Sequence, residues 1–425
     1  MSSNLVSNVT ITGNLLVQGS YSNVASLNTG ALSTTFLVQG STTAASTFKI
    51  ACGRFHTAVL LADGTVRTFG RNQVGQLGVN DTTQRNTPVQ VFGISSSATA
   101  VACGFYHAAV LLADGTVRTF GNNGSGQLGV NDTTQRLTPV QVFGISSSAT
   151  AVACGAQHIA VLLADGTVRA FGDAGQGQLG INVNTGTRQT PVQVFGISSS
   201  ATAVACGTYH TAVLLADGTV RTFGPNTNGQ LGVGDTTQRL TPVTVLNITS
   251  ATAIAGGYFH TAVLLADGTV RTIGRNGDGE LGINVTGGTR STSVTVLNIS
   301  TATAVACGWF HTAVLLADGT VRTVGRNDFG QLGINVSGGT RQTPVQVFGI
   351  SSSAVAIAGG SYYTSVLLAD GSVRTFGQND FGQLGTGDTA SRLTPVQVVT
   401  GFSSVRGKVA GGGYHTAVVM SDGTV

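Results

Sequence analysis

With 425 residues, a formal net charge of +4 and only 9% charged side chains against 41% hydrophobic ones, the chain can build a large core and is not a disordered polyelectrolyte. It contains no run of about 18 apolar residues that would cross a bilayer as a helix. Its first ten residues lack the basic and then apolar order of a secretory signal, so neither a membrane span nor a secretory signal is expected.

Residues 1–48 carry no charged side chain before Lys49 and repeat a phrase of their own, LLVQGS at 15–20 and FLVQGS at 36–41. Short β-prone runs such as 9–12 and 15–17, punctuated by Gly and Asn, cannot form a core at this length without partners. Two expectations follow: an extended or partly disordered leader, or a β-rich stalk that self-associates, with a homotrimer as its simplest form. The texture resembles the low-charge stalks of viral and phage tail fibres.

From residue 49 onward an Asp-Gly pair returns at Asp63, Asp114, Asp165, Asp217, Asp267, Asp318, Asp370 and Asp422, at spacings of 51, 51, 52, 50, 51, 52 and 52. A fixed period of this size marks a propeller, solenoid or array. In one unit, residues 101–103 read as a first strand, 104–106 as a turn and 107–113 as a second strand. Asp114-Gly115 then reads as a type I′ hairpin, 116–121 as a third strand and, beyond a variable loop and Gly126-Gln127-Leu128-Gly129, 139–143 as a fourth. Four antiparallel strands make one propeller blade.

The pattern of Gly104, His107, Leu111, Asp114-Gly115, Gly121-Asn122 and Gly126 to Gly129 resembles the regulator of chromosome condensation repeat. That resemblance implies an all-β, seven-bladed propeller over residues 49–425, behind the N-terminal segment 1–48. Seven Gly-Gln-Leu-Gly elements (75–78, 126–129, 177–180, 229–232, 279–282 with Glu280 for Gln, 330–333 and 382–385) face eight opening strand pairs. The eighth pair, in 409–425, is expected either to close the ring against the first blade or to precede a continuing chain. The family includes guanine-nucleotide exchange factors, a plant ultraviolet receptor and bacterial β-lactamase inhibitors. Exchange relies on an inserted wedge, whereas no unit here outgrows its neighbours by more than two residues; photoreception relies on clustered tryptophans, whereas Trp309 stands alone.

The repeated polar residues have structural explanations. The cysteines Cys52, Cys103, Cys154, Cys206 and Cys307 share one repeat position. Adjacent sheets pack about 10 Å apart, too far for disulfides, so free buried thiols and a reducing compartment, a virion or host cytoplasm, are expected. His56, His107, His158, His210, His260, His311 and His415 share another position, taken by Tyr363 in one unit; the same spacing rules out a shared metal. Each is expected to be buried and bonded to backbone, holding the first turn. The eight Asp residues are read as turn formers paired across the hairpin with arginines of the Arg67 kind. Fourteen of the 19 arginines are locked to the repeat, so no basic patch for nucleic acid arises. Neither a catalytic triad nor a phosphate loop followed by a helix is present, so no enzyme, cofactor or metal is expected.

The positions that the repeat leaves free are the loop before Gly-Gln-Leu-Gly, such as Arg326-Asn327-Asp328-Phe329 against Gln378-Asn379-Asp380-Phe381, and the two residues before each histidine. The latter supply Phe55, Phe105, Tyr106, Tyr209, Tyr258, Phe259, Trp309, Phe310, Tyr362 and Tyr414, an aromatic crown of the composition found at interface hot spots. The function expected from these features is that of a structural protein with a propeller head on a self-associating segment, such as a viral fibre or capsid component; the alternatives are a protein-binding propeller using the aromatic face and a nucleotide-exchange regulator.

Overall fold

In a computed structural model of the chain, the described residues are 49–397, apart from 53, 55, 61, 62, 371, 381–383, 385 and 387, together with 410–411 and 416–417. Expectations for residues 1–48 and for Phe55, Tyr414, His415 and Asp422 lie outside them. The propeller belongs to a unit spanning Ser46–Val425. Seven antiparallel four-stranded sheets follow one another along the chain, and no helix occurs among the described residues.

The second blade shows how the sequence builds each sheet. Its strands are Ala98–Cys103, His107–Leu112, Val117–Gly121 and Arg136–Gln141, paired in chain order. The second strand is buried at every position, because a neighbouring blade covers each of its faces. The outer strand is half-buried throughout except for exposed Gln141. The unit's fourth strand therefore ends earlier than residue 143: Gly144, at φ +68°, turns the chain toward the next blade.

The apolar core is divided among the junctions between blades. Ala58, Leu60, Val66, Val91 and Ile94 of the first blade pack with Val101, Ala108, Val110, Leu112 and Phe120 of the second, and equivalent clusters fill the following junctions. Burying a side chain of this class contributes about 1.5–3 kcal/mol, so each blade is stabilised mainly by its neighbours. The Gly-Gln-Leu-Gly element serves the same junction. Leu128 is fully buried, tied by its N–H to Asn123 Oδ1 at 2.9 Å and by its carbonyl to the Thr119 hydroxyl at 2.6 Å. The Gly129 that follows leaves a slot for the Phe171 ring of the next blade; a Cβ there would lie 2.7 Å from it.

The Asp-Gly hairpin differs from the type I′ expectation. Gly115 N–H donates to Leu112 O at 3.0 Å and Leu112 N–H to Thr116 O at 2.9 Å, and only Gly115, at φ +78°, is left-handed. This is a type I turn followed by a glycine bulge. Asp114 Oδ1 decides the choice by accepting both the N–H and the hydroxyl of Thr116, at 2.9 and 2.8 Å. These bonds to the ionised form hold the Asp114 carboxyl below its ordinary range. The ion pairs form elsewhere, between a loop aspartate and the arginine opening the fourth strand: Arg85 with Asp81, Arg136 with Asp132, Arg392 with Asp388, and Arg239 with Asp235 at 2.6 Å.

The eighth strand pair, Ala410–Gly411 with Thr416–Ala417, packs against the inner strands Lys49–Cys52 and His56–Leu60 of the first blade. It also packs against Ala354–Gly359 and Tyr363–Leu368 of the seventh. It thus sits where the two ends of the blade series meet.

Candidate protein-binding face

The first turn of each blade positions the candidate residues. Gly104 N–H donates to His107 O at 2.9 Å, and the same bond recurs at Gly155, Gly207, Gly257 and Gly308, and at Gly360 with Tyr363. The glycine is required because the imidazole three residues later occupies its side: a Cβ on Gly104 would lie 2.1 Å from the His107 ring. The main chain of the histidine therefore holds the turn.

The rings do something that the sequence reading did not anticipate: they reach across the junction. Nε2 of His158, His210, His260 and His311 meets the hydroxyl of Thr211, Thr261, Thr312 and Thr364 in the next blade, at 3.0, 2.8, 3.1 and 2.9 Å. Each of these hydroxyls donates its proton back to the blade of the histidine, to the carbonyl of Gln178, Gln230, Glu280 or Gln331. Nε2 must then carry the proton that the threonine oxygen accepts. At the first two junctions the threonine is replaced by Ala108 and Ile159, and neither ring nitrogen of His56 or His107 has a hydrogen-bond partner. The His56 ring lies near the His107 backbone without reaching bonding geometry. Replacing Ala108 by threonine should give His56 its missing acceptor and raise stability by about 1 kcal/mol; urea unfolding of the variant measures it.

The two variable residues of each turn separate into an inner and an outer tier. The inner tier, Arg54, Phe105, Ala156, Thr208, Trp309 and Ser361, lines an axial cavity of about 140 Å³ together with the glycines and cysteines of the innermost strands. Phe105 and Trp309, from blades on opposite sides of the ring, have centroids 6.2 Å apart. The Arg54 guanidinium lies 5.1 and 5.3 Å from them. Cys103, Cys154, Cys206 and Cys307 form no disulfide and line the cavity wall, and the first three also pack against the core clusters. Removal from water pushes Cys206 and Cys307 up to about 12 and Cys154 well above the ordinary thiol range, so these thiols stay protonated and unreactive at neutral pH.

The outer tier, together with Tyr258 and the inner-tier Trp309, forms a continuous aromatic network over blades four to seven. Tyr209 meets Tyr258 at 5.9 Å, Tyr258 meets Phe259, Trp309 and Phe310 at 4.2, 5.1 and 5.6 Å, and Tyr362 meets Trp309, Phe310 and Phe329 at 5.6, 5.9 and 5.3 Å. Each of these rings except Phe329 comes from the variable pair. Blade three interrupts the crown with buried Ala156 and exposed Gln157, and Tyr106 lies beneath the Arg71 guanidinium, 6.0 Å away.

Charged residues at the rim were not foreseen as part of the face. Arg275 lies 4.9 Å from the Phe310 ring, and Arg326 lies 5.6 and 5.7 Å from Phe310 and Tyr362. Arg275 is also bonded to Asp278 at 2.6 Å and to Glu280 at 2.8 Å. Glu280, almost wholly buried, also accepts the Asp278 N–H at 2.7 Å. Burial raises its pKa despite Arg275. The clue was present in the sequence: arginine follows the third-strand glycine at 275, and in that unit alone the Gly-Gln-Leu-Gly element carries an acid. Among the described residues no cluster of His, Cys, Asp or Glu could hold a metal.

The RCC1-like domain profile matches residues 22–304, and that of the regulator of chromosome condensation (RCC1) repeat matches residues 318–367 and 370–419. The chain belongs to the RCC1 repeat family. Within it, the ultraviolet-B receptor UVR8 of Arabidopsis thaliana is 29% identical over 383 residues, 88% of this chain and 75% of the receptor. The X-linked retinitis pigmentosa GTPase regulator homolog of Caenorhabditis elegans is 30% identical over 79% of this chain, which spans only 24% of that protein. The probable E3 ubiquitin-protein ligase HERC4 of Mus musculus is 37% identical over 46% of this chain and 19% of its own length. Among solved structures, human WBSCR16 superposes with a TM-score of 0.71 at 22% identity, covering 83% of this chain and 97% of that one. Yeast RCC1 (Prp20), solved with Kap60, gives 0.69 at 18% identity, covering 88% and 90%. These two likenesses are of fold.

Proposed function

We propose that this RCC1-family propeller is a non-enzymatic protein-binding module that captures its partner on the aromatic face of blades four to seven. The observation that carries the reading is the unbroken ring network from Tyr209 to Phe329. Its variable-pair members are half-buried and flanked by Arg275 and Arg326. Rigid aromatic anchors beside arginines are the chemistry of binding hot spots, where truncating one side chain costs about 2 kcal/mol or more. Relatives lend support: solved structures of Prp20 are described with Kap60 and with binding to Gsp1p and histones.

Replacing Tyr258, Phe259, Trp309 and Phe310 together by alanine should abolish capture of the partner retained by the immobilised full chain while leaving the far-UV circular dichroism intact. Equal retention by the variant sinks the reading. A nucleotide exchanger is the second reading, and the Gsp1p likeness is its one support; it is tested by nucleotide release from a small GTPase, where no acceleration counts against it. The fibre reading rests on the texture of residues 1–48 and on nothing in this face. Ultracentrifugation of the chain with and without those residues tests it, a monomer in both cases ruling out the trimer.

A further inference from the structure

The propeller has a second face, at the ends of the blades opposite the aromatic one. In the second blade Gly121 pairs with Arg136 beside the first turn, and Arg118 pairs with Gln141 beside the Asp114-Gly115 hairpin. The fourth strand therefore delivers its last residues to the hairpin end. There the chain passes under the hairpin, and Ala149 N–H donates to Gly115 O at 3.0 Å. The same pairing, between the strand-three arginine and the residue two places before, brings Phe92, Phe143, Phe195, Leu246, Leu297 and Phe348 to this end in blades one to six.

The backbone fixes these six residues alike. Each N–H donates to the carbonyl of the last glycine of its own Gly-Gln-Leu-Gly or Gly-Glu-Leu-Gly element, at 2.9 or 3.0 Å. The residue that follows, glycine or asparagine, is left-handed in every case, with φ between +57° and +69°. The four phenylalanines are 60, 61, 63 and 59% exposed and the two leucines 42 and 39%, while the valine before each of them is buried. Exposed apolar side chains scattered singly are ordinary; six held at one register, one per blade, make a ring.

Area and charge both point to the occupant. An aromatic side chain carries about 150–250 Å², so the four phenylalanines expose roughly 500 Å², more than half of the roughly 800 Å² that each partner gives to a stable interface. The exposed hairpin alanines, such as Ala113 and Ala164, and the exposed serines 146–148 adjoin them. Each blade adds one exposed hairpin aspartate, as at Asp114, and one arginine four residues on, as at Arg118, so the repeat gives this face no net charge. A neutral face gains little from an anionic lipid surface or a highly charged partner, and two like copies of it do not repel. A ring repeated blade by blade is also self-complementary, because a two-fold axis in its plane brings blade positions of one copy onto blade positions of the other.

We propose that a second copy of this chain docks on the hairpin face, so that two propellers pair back to back through their rings of phenylalanine and leucine. The aromatic faces of the pair then point in opposite directions, and the dimer is bivalent. That bivalency, though not the pairing itself, rests on the aromatic face being the docking surface; it lets one dimer bridge two partner molecules or bind a multivalent one with added avidity.

Sedimentation velocity of the full chain over a dilution series in the micromolar range tests the pairing. The chain should sediment as a dimer, and Phe143→Ser with Phe195→Ser should raise the dissociation constant about 100-fold or more, since each lost anchor occurs twice in a two-fold contact. Both positions are exposed, and far-UV circular dichroism checks the fold. Should that variant not fold, Phe92→Ser with Phe348→Ser decides in its place. The Tyr258, Phe259, Trp309 and Phe310 alanine variant should stay dimeric, which keeps this outcome separate from loss of the partner. A chain that is monomeric throughout overturns the proposal. An oligomer that the phenylalanine variants retain also overturns it, by giving assembly to another part of the chain such as residues 1–48, as does an assembly of three or more copies. Dissociation of the alanine variant would move the contact to the aromatic face, and a monomer that binds phosphatidylserine–phosphatidylcholine vesicles through the same phenylalanines would give the ring to a lipid surface; either result overturns the pairing.

Discussion

Lowering the pH from 7 to 5 is expected to unfold the propeller. Burial holds His56, His210 and His311 at a pKa of about 4 and His107, His158 and His260 at about 3, against an ordinary 6.5. Neighbouring imidazoles lower His107, His158 and His260 further. The unfolded chain therefore takes up protons below pH 6.5 while the folded chain does not, and stability falls with pH. It is fully present above 6.5 and is lost progressively down to the folded values. Each histidine contributes about 1.4 kcal/mol per pH unit in that window, so six acting together give about 8 kcal/mol per unit, comparable with the roughly 5–15 kcal/mol that holds a domain folded. The threonine bonds offer no rescue. Nε2 already donates to them, and Nδ1 of His210, His260 and His311 is buried without a partner, so a second proton would find no acceptor. Urea unfolding at pH 7.5, 6.5 and 5.5, followed by Trp309 emission, should show this fall. His260→Gln, which keeps a donor for Thr312, should remove about one sixth of the slope. A free energy that stays level over that range refutes the account.

The blades were legible in the sequence because their signals are local. The Asp-Gly period, the glycine three residues before each histidine and the Gly-Gln-Leu-Gly element all act within a few residues of themselves. The partner of each histidine was not legible in the same way, since the threonine it meets lies 51–53 residues away on the next blade. A trace of it was visible: threonine follows the histidine position at 211, 261, 312 and 364 but is replaced at 108 and 159. The turn type was misread because Asp-Gly suits both a type I′ turn and a type I turn with a bulge. Thr116, two residues on, made the choice. The variable aromatics pointed to a face, but only three dimensions could show that Phe105 and Trp309, 204 positions apart, meet over the axis beside Arg54.

Removing the Phe171 ring is the single side-chain deletion expected to cost most at a blade junction, about 3–5 kcal/mol for Phe171→Ala. The ring is fully buried in the cluster joining the second and third blades, and nothing in a sheet held on both sides can move in to fill its place. Gly129→Ala should destabilise for two separable reasons. A side chain at its φ of +69° costs about 1–2 kcal/mol, and a Cβ 2.7 Å from the Phe171 ring adds about 1–3 kcal/mol of overpacking. The second penalty exists only while the ring is present. The double variant should therefore be more stable than the sum of the single losses predicts, by about 1–3 kcal/mol; strict additivity would mean that glycine and ring are not a slot and its occupant. The chain already contains a gentler version of the experiment, because Ile273 and Val324 stand where other blades have phenylalanine, beside Gly232 and Gly282. Phe171→Val should accordingly cost less than Phe171→Ala, since the β-branched side chain keeps part of the junction filled.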